Sequence, residues 1–201
     1  MAVKREGPTH RQRQAMATRE QIASAARTLF AERGYAATTI AGISEAADIP
    51  VQTIYSALGS KAAILAEITR MWMAESQTPQ LAADALSEPD PQERLRMTAH
   101  MQRRQYDVGN DVIAIYQDAA RTDSQMAEVQ RQVLASRDRE VAKLIDSLVP
   151  HLAPGLTRDQ AMDRFLTCTL VEIYRTLIHE RGWTADDYEQ WLTDLLISQL
   201  L

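Results

Sequence analysis

The sequence predicts an all-α fold, a small N-terminal three-helix unit followed by a larger helical one, on three observations. Apolar residues recur at three-and-four spacing along most of the 201 residues, the period of an amphipathic helix. Seven glycines and seven prolines, with few runs of alternating β-branched residues, leave little that reads as strand. Helix-start signals of the Thr-x-x-Gln kind recur along the chain.

The first 18 residues hold Lys4, Arg5, His10, Arg11 and Arg13 against the single acid Glu6. They lack the apolar core of a secretion signal and read as a disordered basic leader. The alternative is an arm that follows DNA phosphates or enters the minor groove. From about Ala15 to Arg33, Ile22, Ala25, Ala26, Leu29 and Phe30 form the apolar stripe of a first helix, which Gly34 ends. Ile40, Ile43, Ala46 and Ala47 form a second, narrow stripe. Asp48 can take the left-handed conformation that closes a helix, and Ile49, before a proline, is pushed out of helical geometry. The chain must turn there. Pro50 suits the first turn of a third helix running to about Leu58.

Ser60 caps a fourth helix, passing through Ile64, Leu65, Ile68, Met71 and Trp72 to about Ser76, long enough to leave the small unit and couple it to the next. Residues 77–90, with Pro79 and Pro89, read as a loop with one helical turn. Asp90, Pro91 and Glu93 then open a helix to Asp107, which Gly109 ends. Further helices are expected over Asn110–Arg121 and Ser124–Leu148, before Pro150, Pro154 and Gly155 break the chain. Thr157 with Gln160 starts a helix expected to run unbroken through Ile178. After the Gly182–Trp183 corner, Thr184 with Asp187 starts the last one.

The stretch 38–61, TTIAGISEAADIPVQTIYSALGSK, carries the chemistry. In its second helix only Ile54 and Leu58 are strongly apolar and internal, so Val51, Gln52, Thr53, Tyr55 and Ser56 are left to solvent. Small, polar and uncharged, this surface suits a helix in the major groove. Gln52 can bond adenine twice, Thr53 can bond bases or phosphate, and Val51 can touch a thymine methyl. Thr38 or Thr39 can cap the preceding helix while facing a phosphate. Lys61, at the first position of the fourth helix, opposes the helix dipole unless an external anion lies close. The same pattern also fits any small helical corner.

Residues 19–65 resemble the N-terminal domain of the TetR (tetracycline repressor) family. The likeness rests on Arg19, Ile22, Ala25, Ala26, Leu29, Phe30, the ERGY run of residues 32–35, Thr38, Thr39, Ile40, Ile43, Ala46, Ala47, Thr53, Ile54, Tyr55, Ser60, Lys61 and Leu65, all in one register. It implies an all-helical homodimer that binds an operator, most often a repressor released by a small molecule. Residues 19–60 would be the helix-turn-helix DNA-binding domain, and residues 61–201 the effector-binding and dimerisation domain. By position, the family's phosphate contacts fall on Thr38 or Thr39, Tyr55 and Lys61, and its base-reading positions on Val51, Gln52, Thr53 and Ser56. Asp48, Pro50 and Leu58 depart from the family's common glycine, serine and phenylalanine there. None of the three removes a DNA-contacting group.

The net charge of −5 argues at first against nucleic acid. Its distribution reverses that: residues 1–70 hold nine Lys and Arg against six Asp and Glu, residues 71–201 thirteen against 21. The basic end is the end with the motif. No phosphate loop, His-Glu-x-x-His, Gly-x-Ser-x-Gly or cysteine pair is present, so no enzyme, cofactor or metal is expected. The rival functions are a helical enzyme and an interaction protein that keeps the shape without binding an operator. The single Cys168 reads as a buried reduced thiol in a cytoplasmic protein, and no stretch approaches a membrane span.

In the larger unit, Trp72, Met97, His100, Met101, Tyr106, Tyr116, Met126, Phe165 and Cys168 lie on helices that would surround an adaptable apolar effector pocket. A plain core has the same look. The last two helices are apolar on more than one face. Phe165, Val171, Tyr174, Ile178, Tyr188, Trp191, Leu192, Leu195 and Leu196 are therefore expected at a four-helix interface with a second copy. Twofold symmetry would then make the operator an inverted repeat.

Overall fold

The computed structural model describes residues 9–201, and among them every regular element is a helix. Helix α1 spans His10–Arg33, α2 Ile40–Ala47, α3 Val51–Ala57, α4 Lys61–Glu75, α5 Thr78–Ser87, α6 Pro91–Thr122 and α7 Ser124–Leu148. Then come α8 (Arg158–Cys168), α9 (Val171–Arg175), a π-helical turn (Thr176–Glu180) and α10 (Ala185–Leu200). No helix among the described residues is long and apolar enough to cross a membrane.

Four elements differ from the sequence expectation, the two helices expected on either side of Gly109 being the two arms of the kinked α6. Helix α1 starts about five residues early, because Thr9 and Gln12 form a complete capping box: Thr9 Oγ1 accepts from the Gln12 N–H at 3.3 Å and Gln12 Oε1 from the Thr9 N–H at 2.7 Å. Residues 1–8 of the expected leader lie outside the described residues. The expected loop at 77–90 is mostly helix α5, with Pro79 in its first turn, where its missing N–H costs nothing. The expected unbroken helix over 161–178 stops at Thr169 (φ −106°, ψ 26°) and restarts after Leu170. Thr169 Oγ1 bonds back to the Phe165 carbonyl at 2.8 Å, and the Thr169 carbonyl accepts from the Tyr106 hydroxyl.

The chain forms two compact units, one of residues up to 71 with 111–127, the other of 72–110 with 128–201. The smaller unit thus takes in residues far beyond the expected boundary at 60. In it, α3 packs on α1 and α2 around Ile22, Phe30, Ile43 and Ile54. The end of α6 is bolted to α1. Arg27 holds Asp111 through two bonds of 2.7 Å, and the Tyr35 N–H donates to Asp118 Oδ2 at 2.8 Å. Glu67, 4% exposed, lies between Arg19 (2.8 Å) and Arg70 (2.7 Å). Burial alone would raise its pKa, but the hydrogen bonds from Arg70 and Arg19, with their charges, hold it below the usual carboxylate value.

In the larger unit, α6 is kinked at Gly109 (φ −150°, ψ 25°). The Trp72 indole occupies the kink, its Nε1–H donating to the Gln105 carbonyl at 2.8 Å, the oxygen a regular helix would give to the Gly109 N–H. A Cβ at position 109 would lie 2.1 Å from that nitrogen, so only glycine fits. Helix α10 packs on α8, and its Glu189 accepts from Arg103 Nε at 2.9 Å and pairs with His100 Nδ1 at 3.0 Å. Tyr106, Tyr174 and Tyr188 cluster, the last two edge to face at 5.1 Å.

Candidate nucleic-acid interface

The corner between α2 and α3 is built locally. Asp48 takes the left-handed conformation (φ 51°, ψ 44°), where an L side chain is tolerated best when it is short and polar. The Ile49 N–H then reaches the Ser44 carbonyl (3.1 Å), and Ser44 Oγ donates to the Ile49 carbonyl (2.6 Å). Pro50 stands just before α3 and its carbonyl accepts from the N–H groups of Thr53 and Ile54. Gln21 of α1 donates to the Ala47 carbonyl at 2.8 Å, tying the corner to α1.

Helix α3 is held by one side and open on the other. Ile54 is fully buried and Leu58 nearly so, whereas Val51, Gln52, Tyr55 and Ser56 are exposed and Thr53 half-buried. At 50% exposure, Tyr55 is far more open than a ring used for packing. The Ser56 hydroxyl donates to the Thr53 carbonyl at 2.9 Å, which leaves its lone pairs available. This open side carries no ionisable group other than the Tyr55 phenol.

Two of the expected phosphate contacts are placed differently. Thr38 is 3% exposed, and its hydroxyl faces the carbonyls of Gly34 (2.8 Å) and Leu29 (3.2 Å), closing the end of α1. Thr39 is the exposed one, capping α2 by accepting from the Gly42 N–H at 3.0 Å. Lys61 turns inward as well. Its Nζ donates to the carbonyls of Tyr35 (2.7 Å) and Thr38 (3.0 Å) and lies 4.4 Å over the Tyr35 ring. Its pKa is lowered by burial, which the Asp123 charge only partly opposes. The anion that the sequence reading placed outside is replaced by two carbonyl oxygens and an aromatic face within the unit.

Residues 22–68, which include this corner, match the family model for bacterial regulatory proteins of the tetR family. The chain carries a TetR-family N-terminal domain. No curated protein matches the chain. Solved structures share its fold: the fatty acid degradation regulator FadR from Bacillus halodurans is 18% identical, with 96% of this chain and 97% of that one covered and a TM-score of 0.73. The regulator FadR from Bacillus subtilis, in complex with stearoyl-CoA, is 15% identical over 90% and 99%, with a TM-score of 0.71. The SmeT–triclosan complex is 16% identical over 92% of each chain, with a TM-score of 0.73. The whole chain therefore has the all-α fold of TetR-family regulators, with the helix-turn-helix in its N-terminal domain.

Outside the TetR-family domain the expected effector residues are dispersed. Tyr116 and Met126 belong to the smaller unit, where the Tyr116 hydroxyl pairs with Thr69 Oγ1 at 2.9 Å. In the larger unit Trp72 fills the α6 kink, Tyr106 holds Thr169, His100 meets Glu189 and Phe165 is buried. Met97, Met101 and Cys168 are half-buried, and burial pushes the Cys168 thiol up. A cleft of about 400 Å³ in this unit is lined by Glu172, Ile173, Thr176, Leu177, Trp183 and Trp191, none of the nine.

The expected interface residues divide. Phe165, Val171, Tyr174, Tyr188, Leu192 and Leu196 are buried within their own unit, so they form its core. Ile178, Trp191 and Leu195 are half-exposed, and Trp191 meets Trp183 edge to face at 6.3 Å beside the cleft. Tyr188, fully buried, carries a hydroxyl that the apolar pattern of the last helix takes no account of. That hydroxyl is the one buried side-chain oxygen or nitrogen among the described residues with no hydrogen-bond partner. Sequence reading also missed the brace of Arg27 and Asp111, whose separation of 84 residues leaves no local signal.

Proposed function

We propose that the chain is a DNA-binding transcriptional regulator of the TetR type, a cytoplasmic homodimer that binds an inverted-repeat operator, represses there, and is released by a small molecule. The supporting observation is the open side of α3: exposed Val51, Gln52, Tyr55 and Ser56 on a helix whose opposite side is fully buried at Ile54. Gln52 has the amide for two bonds to adenine and Val51 the methyls for thymine, while Thr39 and Tyr55 present hydroxyls to phosphates. Regulation rather than catalysis is the role of the proteins that share the fold.

Dimerisation supplies the symmetry. Half-exposed Ile178, Trp191 and Leu195, together with the cleft at Trp183, form an apolar face that a second copy would cover. Two α3 helices roughly 34 Å apart would enter successive major grooves. Helix α6 is suited to carry the effector signal, since Asp111 binds it to α1 and Asp118 to Tyr35 just after α1, while residues 100–107 hold α10 and Thr169. The stearoyl-CoA and triclosan bound by fold relatives point to an effector with a large apolar part. A coupling of about 1 to 3 kcal/mol would weaken DNA binding roughly 5- to 150-fold.

Selection of bound duplexes from a random pool tests this reading, and an enriched inverted repeat is the expected result. A pool with no enriched repeat would count against both the operator and the dimer. On the selected duplex Gln52→Ala should relax preference at one base position per half-site, at a cost of about 1 to 3 kcal/mol there. Equal loss on every sequence would remove Gln52 from base reading.

A further inference from the structure

We infer that the cleft beside Trp183 binds small organic cations, an ammonium group carried on an apolar body, and disfavours acids of the same size. This names a chemical class for the effector, and only its regulatory meaning rests on the reading above.

The walls of the cleft are set by the backbone. Between Thr176 and Glu180 the chain widens into the π turn, closed by the Arg181 N–H on the Thr176 carbonyl at 3.0 Å. Gly182 then takes a positive φ (71°), and the Trp183 N–H reaches back six residues to the Leu177 carbonyl at 3.0 Å, the closure of a Schellman motif. That closure brings the side chain after the glycine towards the last helical turn, and Trp183 and Leu177 line one hollow. Thr184 starts α10 at once through its box with Asp187, and two turns on Trp191 supplies a second aromatic wall. Trp183 is thus held by a cap on each side, and the Trp191 ring lies 6.0 Å from that of the buried Tyr188. Little ordering of either indole is left for a ligand to impose.

The lining then selects by charge. The two indoles stand at 88° with centroids 6.3 Å apart. A cation in the cleft can therefore lie within about 6 Å of both, the range over which an aromatic face attracts positive charge, tryptophan most strongly. Among the described residues that line the cleft, Glu172 alone is charged, and its carboxylate adds to that attraction. A carboxylate offers roughly four acceptor sites, so the contact Glu172 already makes in the fold does not use it up. Ile173 and Leu177 supply apolar surface, and about 400 Å³ falls within the roughly 300 to 1,000 Å³ of small-molecule sites. A second copy laid over this face would cover the cleft, and a bound cation would then fill a hollow otherwise left empty.

Calorimetric titration of the full chain with benzyltrimethylammonium, benzyl alcohol and 3-phenylpropionate, alike in their ring and different in charge, tests this. The cation is expected to bind most tightly and the acid least. Trp191→Leu should weaken the cation roughly 2- to 30-fold, and the alcohol less, because the attraction of the ring for charge is lost. Glu172→Gln, at an exposed position, should weaken the cation roughly 2- to 5-fold at low salt, leave the alcohol unchanged and improve the acid. A cation that does not bind, an alcohol or acid bound as tightly, or a cation affinity unmoved in both variants overturns the inference. These titrations contain no DNA. An enriched operator without cation binding therefore overturns this inference and leaves the regulator standing, whereas cation binding without an enriched operator upholds the site and removes its regulatory meaning.

Discussion

Helices α2 and α8 both stop at a short corner, of three residues and of two, and what stops them is different. At the end of α2 every part is local: Asp48 in the left-handed region, Ile49 ahead of Pro50, and two bonds between Ser44 and Ile49. At the end of α8 there is no glycine, no proline and no positive φ among Cys168, Thr169 and Leu170. Part of the break is Thr169 bonding back to Phe165, and the rest comes from Tyr106, 63 residues earlier in the chain. The first corner is a property of a few consecutive residues, the second a property of a folded unit. A reading surface that must be presented the same way in every state is suited to the first kind. If the larger unit binds an effector as proposed, the second kind would suit it, because whatever displaced Tyr106 would also release the break.

Three substitutions bear on that contrast. The largest effect is expected at the distant contact: Tyr106→Phe leaves the buried Thr169 carbonyl short of its donor and should cost about 1 to 3 kcal/mol in urea denaturation. A stability equal to wild type would mean that α8 stops there without outside help. Tyr188→Phe should act in the opposite sense, gaining about 1 kcal/mol, because it deletes a buried hydroxyl that has no partner. Loss of stability instead would place a bound water or an effector atom on that oxygen. The smallest change is expected at the local corner. Asp48→Gly removes the cost of a left-handed L residue but frees the unfolded chain, for a net gain of about 0.5 kcal/mol by thermal melting. A large effect there, of either sign, would mean the corner is not self-contained.

The same contrast decides what could be read in the chain beforehand. The α2–α3 corner, the start of α4 at Ser60, the span of α7 and the boxes at Thr157 and Thr184 all follow from residues within four of one another. So does the early start of α1, which the Thr9–Gln12 box announces by the same pattern as Thr157–Gln160. The open residues of α3 were legible because Ile54 and Leu58 alone mark its buried side. Thr38 and Lys61 were not, since a threonine or lysine beside a helix end has the same letter whether it faces solvent or a carbonyl. In the larger unit, apolar count could not separate a residue buried in its own core, such as Leu192, from one left half-open, such as Trp191. Nor could it show that α6, α8 and α10 share Arg103, Tyr106 and Glu189 in hydrogen bonds running across about 60 to 90 positions.

The indole seated against Gly109 ties two distant positions into one evolutionary choice. With 2.1 Å between that nitrogen and any added methyl, a lineage cannot gain a side chain at 109 while it keeps tryptophan at 72. A smaller residue at 72 has to come first, and it would leave a void and an unanswered Gln105 oxygen until the second change filled the space. The pair is thus an epistatic lock on the bend of α6, and relatives that carry a straight helix there are expected to have lost both residues rather than either one.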